Sequence, residues 1–260
     1  MDINGDGKLD FVAVGASTSA FLGRGDGTFD AGPISSAGWN AFELTSADFN
    51  GDGHADLLGL ATTTNGATVL EESDGDGEGN FGAPFARAGA PTIGVFHGPP
   101  LAGDANEDGK ADVVQDATLL IAGASAATIA WPDACDPSSD PAQIGARALV
   151  DLDGDHHLDL AALGSLGACV LYGDGKGSFA NGGLVTSSPA GGSTLFVADF
   201  DGDGQSDLAI APPSAATRVM ILFNRGSRLS FDSVSLSSPS TAAFAGALTA
   251  DIDGDGRADW

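Results

Sequence analysis

Basic residues are scarce in this chain of 260 residues, and their scarcity limits what it can bind. Lysine and arginine total 10 against 36 acidic residues, which gives a formal net charge of -26. Nucleic acids and anionic membrane surfaces both require a positive surface on their partner. The composition therefore predicts no nucleic-acid partner. No apolar run reaches the roughly 18 to 20 residues of a membrane span, so none is expected in this chain.

Cysteine and the usual catalytic motifs are also sparse. Cys135 and Cys169 are the only cysteines, too few for a disulfide framework. Either they pair in an oxidising compartment, or they are buried as small apolar residues. No nucleophile elbow, phosphate loop or dinucleotide fingerprint is present, so we expect no catalytic residues and no enzyme. Scattered carboxylates leave an enzymatic alternative open.

The acidic residues that are present concentrate in a nine-residue pattern. The stretch Asp199 to Asp207 reads DFDGDGQSD, with carboxylates at positions 1, 3, 5 and 9 and a glycine at position 6. Carboxylates that alternate along a sharply turning loop converge and need a cation to compensate them. Calcium accepts six to eight oxygen ligands at variable angles. The pattern therefore predicts a calcium loop, with a backbone carbonyl supplied by position 7.

Six such loops divide the chain into periods of about 50 residues, starting at residues 2, 48, 104, 151, 199 and 251. An apolar stretch precedes each loop after the first, as in Leu195 to Ala198, and another follows it, as in Leu208 to Ile210. We expect these two strands to be buried on both faces and joined by the loop as a hairpin. A β-rich third strand (Arg218 to Phe223) and a more polar fourth (Ser233 to Ser237) complete the period.

Four strands per period describe one blade of a β-propeller. The fold class predicted is all-β, with about five four-stranded blades present. The third period is the poorest match, and we expect a degenerate blade there. The blades could form a closed five-bladed ring or an arc of a larger propeller. We interpret residues 1–260 as one propeller domain cut within a repeat at both ends.

The loops, together with glycine turns such as Phe21 to Phe29 (FLGRGDGTF), resemble FG-GAP and VCBS repeats, the blades of integrin-α-like propellers. The resemblance implies six to eight blades and calcium in the hairpin between the first two strands of each. It also implies a secreted or cell-surface module for adhesion, ligand binding or scaffolding, with a protein or glycan as partner. Up to six structural Ca²⁺ ions are the expected cofactors.

Transferred onto this sequence, the resemblance assigns the metal ligands to positions 1, 3, 5, 7 and 9 of every loop. They are Asp2, Asn4, Asp6, Lys8 and Asp10; Asp48, Asn50, Asp52, His54 and Asp56; Asp104, Asn106, Asp108, Lys110 and Asp112; Asp151, Asp153, Asp155, His157 and Asp159; Asp199, Asp201, Asp203, Gln205 and Asp207; and Asp251, Asp253, Asp255, Arg257 and Asp259. His156 at position 6 and Glu107 at position 4 replace glycines, so we expect weaker binding in those two loops.

Other interpretations of the loops agree less well with the sequence. An EF-hand requires an acid at position 12 and an exit helix, and position 12 is Ala13 in the first loop and Ile210 in the fifth. Aspartates that merely form turns would not recur six times in phase. The function predicted is a calcium-binding extracellular module. The alternatives are a glycan-binding lectin on the same fold and an accessory domain of a larger secreted enzyme.

Overall fold

The structure, a computed structural model, describes residues 1–14, 17–37, 39, 41–90, 98–122, 126–135, 144–186, 194–211 and 218–237. Within these residues the regular structure consists of 19 strands in five antiparallel sheets. None of the described residues belongs to a helix long and apolar enough to cross a bilayer. The chain divides into two compact units, Met1–Thr128 and Ile129–Trp260.

The first unit contains three sheets whose strands lie side by side in the order of the sequence. The first sheet consists of β1 (Phe11–Val14), β2 (Ser17–Gly23) and β3 (Phe29–Ala37). The second consists of β4 (Ala41–Ala47), β5 (Asp56–Thr62), β6 (Thr68–Ser73) and β7 (Phe85–Ala86). The third consists of β8 (Leu101–Gly103), β9 (Asp112–Gln115), β10 (Thr118–Leu120) and β11 (Ala126–Thr128).

The second unit contains two sheets with the same meandering order. One consists of β12 (Arg147–Val150), β13 (Asp159–Gly164), β14 (Gly167–Gly173) and β15 (Phe179–Thr186). The other consists of β16 (Thr194–Ala198), β17 (Asp207–Ala211), β18 (Arg218–Asn224) and β19 (Phe231–Ser237). Each four-stranded sheet is thus one predicted period.

The acidic loops close the first hairpin of each complete sheet. The residue before each loop pairs with the aspartate at position 9, and these pairs are Ala47 with Asp56, Gly103 with Asp112, Val150 with Asp159 and Ala198 with Asp207. The predicted hairpin is therefore confirmed, and position 9 is the first residue of the second strand.

Burial distinguishes the second strands from the first. The second strands β9, β13 and β17 are buried along their whole length, and β5 is buried except for its last residue. The first strands β8 and β12 are only half-buried throughout. The prediction that first strands are buried on both faces is therefore wrong. These strands stand at the edge of their sheets, with a hydrogen-bonded neighbour on one side only.

Apolar clusters fill the space between successive sheets within each unit. In the first unit one cluster joins the first and second sheets, and another joins the second and third. In the second unit a cluster includes Leu152, Val170, Tyr172 and Leu208. The side chain at position 2 of a loop enters each cluster, as Ile3, Phe49 and Leu152 do. The loops therefore anchor the core with an apolar residue beside their carboxylates.

Two of the five outer strands are much shorter than the other three. Strand β7 has two residues and β11 has three, against seven to nine residues in β3, β15 and β19. The weak third period was predicted to be irregular at its outer edge, and the shortness of β11 agrees with that. The shortness of β7 was not predicted, because the turn before it ends in a regular glycine-rich stretch closed by Phe81.

The two cysteines form a disulfide. Cys135 and Cys169 are both fully buried, and their Cα atoms lie 5.9 Å apart. The bond ties the segment before the fourth sheet to β14. Of the two alternatives left open by the sequence, the structure shows pairing.

Candidate metal centres

The aspartate at position 9 is the most buried acidic residue of every described loop. Each of its two carboxylate oxygens accepts a backbone N–H. One donor is position 2 of the same loop, and the other is a residue at or just after the end of the third strand of the repeat. The donors are Ile3 and Gly23 to Asp10 at 2.9 and 2.6 Å, Phe49 and Gly75 to Asp56 at 2.9 and 2.8 Å, Ala105 and Ala122 to Asp112 at 3.0 and 2.9 Å, Leu152 and Gly173 to Asp159 at 2.7 and 2.8 Å, and Phe200 and Asn224 to Asp207 at 2.9 and 2.8 Å.

This fivefold arrangement, which we call the aspartate latch, connects the loop to the third strand of its repeat, which is β2, β6, β10, β14 or β18. Close approach explains the glycines at the latch. A Cβ on Gly23, Gly75 or Gly173 would collide with the backbone carbonyl oxygen at position 8 of the loop. Asn224 takes the same place in the fifth loop, and its amide instead donates to the Ser206 carbonyl at 3.1 Å.

Burial makes the latch aspartates Asp56, Asp112, Asp159 and Asp207 costly to ionise. It raises the pKa of Asp159 to about 6, although two backbone N–H groups favour the charged form. Burial also raises the pKa of Asp56, Asp112 and Asp207 above the ordinary value. In each case desolvation outweighs the two hydrogen bonds. A nearby cation would favour the ionised form of these groups.

Position 1 organises the turn of the loop. The carboxylate at this position accepts the backbone N–H of position 6 in all five described loops. The donors are Gly7 to Asp2 at 2.8 Å, Gly53 to Asp48 at 2.8 Å, Gly109 to Asp104 at 2.8 Å, His156 to Asp151 at 3.0 Å and Gly204 to Asp199 at 2.9 Å. These bonds fold the loop around the first aspartate.

Positions 5 and 7 make a second recurring contact. The backbone N–H of position 7 donates to the carboxylate of position 5, and the pairs are Lys8 with Asp6 at 3.0 Å, His54 with Asp52 at 2.9 Å, Lys110 with Asp108 at 2.9 Å, His157 with Asp155 at 3.0 Å and Gln205 with Asp203 at 2.9 Å. At position 3, Asn4, Asn50, Asn106 and Asp153 accept the N–H of position 5. All the predicted ligand residues of these loops therefore lie in one folded turn.

In the fourth and fifth loops several of these carboxylates converge. Oxygens of Asp151, Asp153 and Asp159 lie within 4.8 Å of one another, and so do those of Asp199, Asp201 and Asp203. Oδ1 of Asp201 is buried and has no hydrogen-bond partner. An orphaned carboxylate oxygen among other oxygen donors fits a hard cation such as calcium. The residues would hold the ion through carboxylate, amide and carbonyl oxygens alone.

The two residues that replace glycine in the loops have a left-handed backbone conformation. His156 at position 6 has a φ of 72°, and Glu107 at position 4 has a φ of 58°. Glycines occupy these positions in the fifth loop, where Gly204 has a φ of 88° and Gly202 a φ of 78°. The side chains of His156 and Glu107 therefore impose backbone strain at sites where glycine has none.

The sixth loop lies outside the described residues. Its predicted ligands are Asp251, Asp253, Asp255, Arg257 and Asp259, and the preceding apolar run Ala245 to Ala250 falls in the same part of the chain. The assignment of these residues stays a prediction.

Sequence reasoning missed a cleft in the first unit. It has a volume of about 180 Å³ and is lined by Phe49, Glu72, Phe85, Arg87, Ala88, Lys110, Ile121 and Ala122. Arg87 forms an ion pair with Glu72, and both side chains are only 7% exposed. The guanidinium also lies 4.9 Å from the centre of the Phe49 ring and donates to the Ala111 carbonyl at 3.3 Å.

Strand register shows how unusual Glu72 is. It pairs with Leu58, two residues after the latch aspartate. The residues at the same register in the other four sheets are Ala20, Leu119, Val170 and Ile221. All four are buried and apolar. A comparison of the repeats aligned on the latch could have revealed Glu72 from the sequence.

A family model described as FG-GAP-like repeat matches residues 2–59, 151–210 and 199–260. The chain belongs to the FG-GAP-like repeat family. The matched segments contain the first, second, fourth, fifth and sixth loops. The resemblance drawn from those loops is therefore confirmed, and so is the fold class of an all-β propeller built from blade-like sheets. No curated protein matches this FG-GAP-like repeat chain.

A solved structure with a TM-score above 0.5 shares the fold. A lectin of Agrocybe aegerita, described as specifically recognising non-reducing terminal N-acetylglucosamine, is 21% identical with a TM-score of 0.68. The match covers 92% of this chain and 65% of the lectin chain. The V. cholerae biofilm matrix protein Bap1 is 17% identical with a TM-score of 0.44, covering 88% of this chain and 37% of that one. The chain thus spans about 65% and 37% of the lengths of these two proteins.

Proposed function

We propose that the chain is a calcium-stabilised propeller module that binds a protein or glycan outside the cell or at its surface. The observation that carries the calcium assignment is the orphaned Oδ1 of Asp201 among the converging carboxylates of the fifth loop. The buried disulfide supports an oxidising compartment, where such bonds form and persist. The carboxylate clusters of the loops serve the fold in this proposal, and the role of the chain is binding rather than catalysis.

The proposed mechanism is thermodynamic linkage. The loop residues are in ligating positions only when the hairpin is folded, so calcium binding favours the folded state. At about one hundred times the dissociation constant, each site contributes about 2.7 kcal/mol. Calcium bound in a loop also stabilises the first three strands of the repeat, because position 9 connects the loop with the end of the third strand.

A thermal melt tests this function. With calcium present, the melting temperature should exceed that measured in chelator by several degrees, and magnesium should substitute poorly because it requires near-ideal octahedral geometry. Elemental analysis of the dialysed protein should find bound calcium. Identical melts in calcium and chelator, with no calcium retained, would reject the proposal.

A second candidate function is glycan binding in the cleft of the first unit. The cleft has a volume of about 180 Å³, which is room for about six water molecules. This space is enough for part of one sugar residue. The lining of the cleft includes the buried Glu72–Arg87 ion pair, Lys110 and the Phe85 ring, which is 45% exposed. Polar groups beside an aromatic face are what a sugar ring requires. The lectin with the same fold adds support for this class of ligand.

A glycan array tests the second candidate with a matched control. Phe85→Ala removes an exposed ring at the cleft, whereas Phe29→Ala removes a ring that is 46% exposed on another sheet. We expect glycan signals that Phe85→Ala abolishes and Phe29→Ala retains. An array with no signal above background for the wild-type chain would remove the candidate.

A further inference from the structure

Two arginines from one turn lie against the two described loops that carry aspartate at position 3. Arg225 donates to Asp201 at 2.8 Å and lies 3.6 Å from Asp203. Arg228 donates to Asp153 at 2.5 Å and to Asp155 at 3.5 Å. In both loops the guanidinium contacts the carboxylates of positions 3 and 5.

The second and third loops, which have asparagine at position 3, achieve a similar pairing through that amide, whereas in the first loop the Lys8 ammonium pairs with Asp6 at 3.1 Å. The amide of Asn50 donates to Asp52 at 3.0 Å, and the amide of Asn106 donates to Asp108 at 2.9 Å. Their ligand positions carry three carboxylates, whereas those of the fourth and fifth loops carry four. One guanidinium therefore brings a four-carboxylate loop to the net charge of a three-carboxylate loop.

Both guanidinium groups are held in place by further contacts. Arg225 also donates to Asp232 at 2.9 Å and lies 5.4 Å from the centre of the Phe223 ring. The guanidinium of Arg228 lies 4.8 Å from the centre of the Tyr172 ring.

The turn that carries the arginines is anchored as well. Its first residue, Asn224, is fully buried and donates to the Leu152 carbonyl at 2.6 Å. The backbone N–H of Leu229 donates to the Tyr172 hydroxyl at 2.6 Å. The turn is therefore anchored in the second unit, and its two arginine side chains, 37% and 46% exposed, lie against the loops.

We propose that Arg225 and Arg228 are built-in counter-ions that lower the calcium affinity of the fifth and fourth loops. A guanidinium and a divalent cation compete for the same carboxylate groups at positions 3 and 5, and their charges repel. The fourth and fifth loops, which carry the most carboxylates, are then weaker calcium sites than the second loop, which has no replaced glycine. The folded shape of the fourth and fifth loops then depends less on bound calcium than that of the second loop. The inference rests on the proposed calcium binding.

A calcium titration of the ¹⁵N-labelled full chain, followed by NMR, separates the loops. The position-6 amides of Gly53, Gly109, His156 and Gly204 donate to the first aspartate of their loops and report each site individually. In the wild type, Gly53 should shift at lower calcium concentrations than Gly204, because neither of these two loops has a replaced glycine and only the fifth carries an arginine.

Substitution of one arginine should change one loop only. Arg225→Gln should lower the calcium midpoint of Gly204 by up to about fivefold, the upper end of what a partly exposed ion pair contributes, and should leave His156 unchanged. Arg228→Gln should lower the calcium midpoint of His156 and leave Gly204 unchanged. Arg225→Lys retains the charge and should keep the Gly204 midpoint within about threefold of wild type. Arg24→Gln is the control, because Arg24 pairs with Asp30 outside the loops.

The results distinguish this inference from the proposed function. Midpoints that stay the same or rise in both Arg→Gln variants would overturn the counter-ion role while calcium binding stands. A titration in which no loop amide responds in any variant would instead reject calcium binding itself.

Discussion

Replacement of Asp56 by alanine should destabilise the first unit even when calcium is absent. Asp56 is fully buried and accepts the N–H groups of Phe49 and Gly75 at 2.9 and 2.8 Å. Alanine leaves both donors buried without a partner, at about 1 to 3 kcal/mol each. Burial raises the pKa of Asp56, so loss of the buried charge returns part of this cost. We expect a net loss of about 3 kcal/mol.

Asp52 provides a control within the same loop. It is exposed, and it accepts the His54 N–H at 2.9 Å and the Asn50 amide at 3.0 Å. In chelator, Asp52→Ala should cost less than about 1 kcal/mol, because water can satisfy these donors. In calcium, both variants should lose the increment contributed by this loop, because both residues are predicted ligands.

Thermal and urea unfolding, each in calcium and in chelator, measure the difference. A loss of about 3 kcal/mol corresponds to a fall of about 6 to 12 °C in the melting temperature. If Asp56→Ala and Asp52→Ala cost the same small amount in chelator, the latch is not an independent source of stability. The reasoning from its two hydrogen bonds would then be wrong.

Three further predictions concern other features. Reduction of the disulfide, which spans 34 residues of sequence, should lower the stability of the second unit by about 4 kcal/mol in guanidinium unfolding; an unchanged midpoint would contradict this. His156→Gly should stabilise the chain by about 1 kcal/mol by relieving a positive φ, and Gly204→Ala should destabilise it by a similar amount; urea unfolding of both tests the strain. Arg87→Met alone should cost about 3 to 5 kcal/mol, whereas combined with Glu72→Leu it should be nearly neutral. If the double variant is as unstable as the single one, the pair itself is required for folding.

The sequence predicts the repeating hairpin well because the loop pattern and the strand pattern agree. Asp199 to Asp207 and the apolar residues on both sides of it indicate a loop between two strands. The structure has these strands at Thr194–Ala198 and Asp207–Ala211. The third strand, predicted at Arg218 to Phe223, is found at Arg218–Asn224.

Long-range pairing could not be predicted in the same way. The second acceptor contact of Asp159 reaches Gly173, 14 residues away, and depends on a close approach of two backbones. The contact of Arg228 with Asp153 joins residues 75 positions apart and requires neighbouring sheets to be placed side by side. The Glu72–Arg87 pair depends on an outer strand of only two residues. Periodicity within one repeat contains no information on these distances.

Because of the aspartate latch, the outer strand of each sheet can vary in length. One carboxylate holds the first three strands together through the loop, so the fourth strand contributes little to that attachment. The fourth strand accordingly ranges from two residues in β7 to nine in β3, the last strand of the first sheet. Mutation can therefore shorten, lengthen or reshape the outer edge of a repeat without dismantling its interior. New recognition surfaces in such chains should arise at that edge.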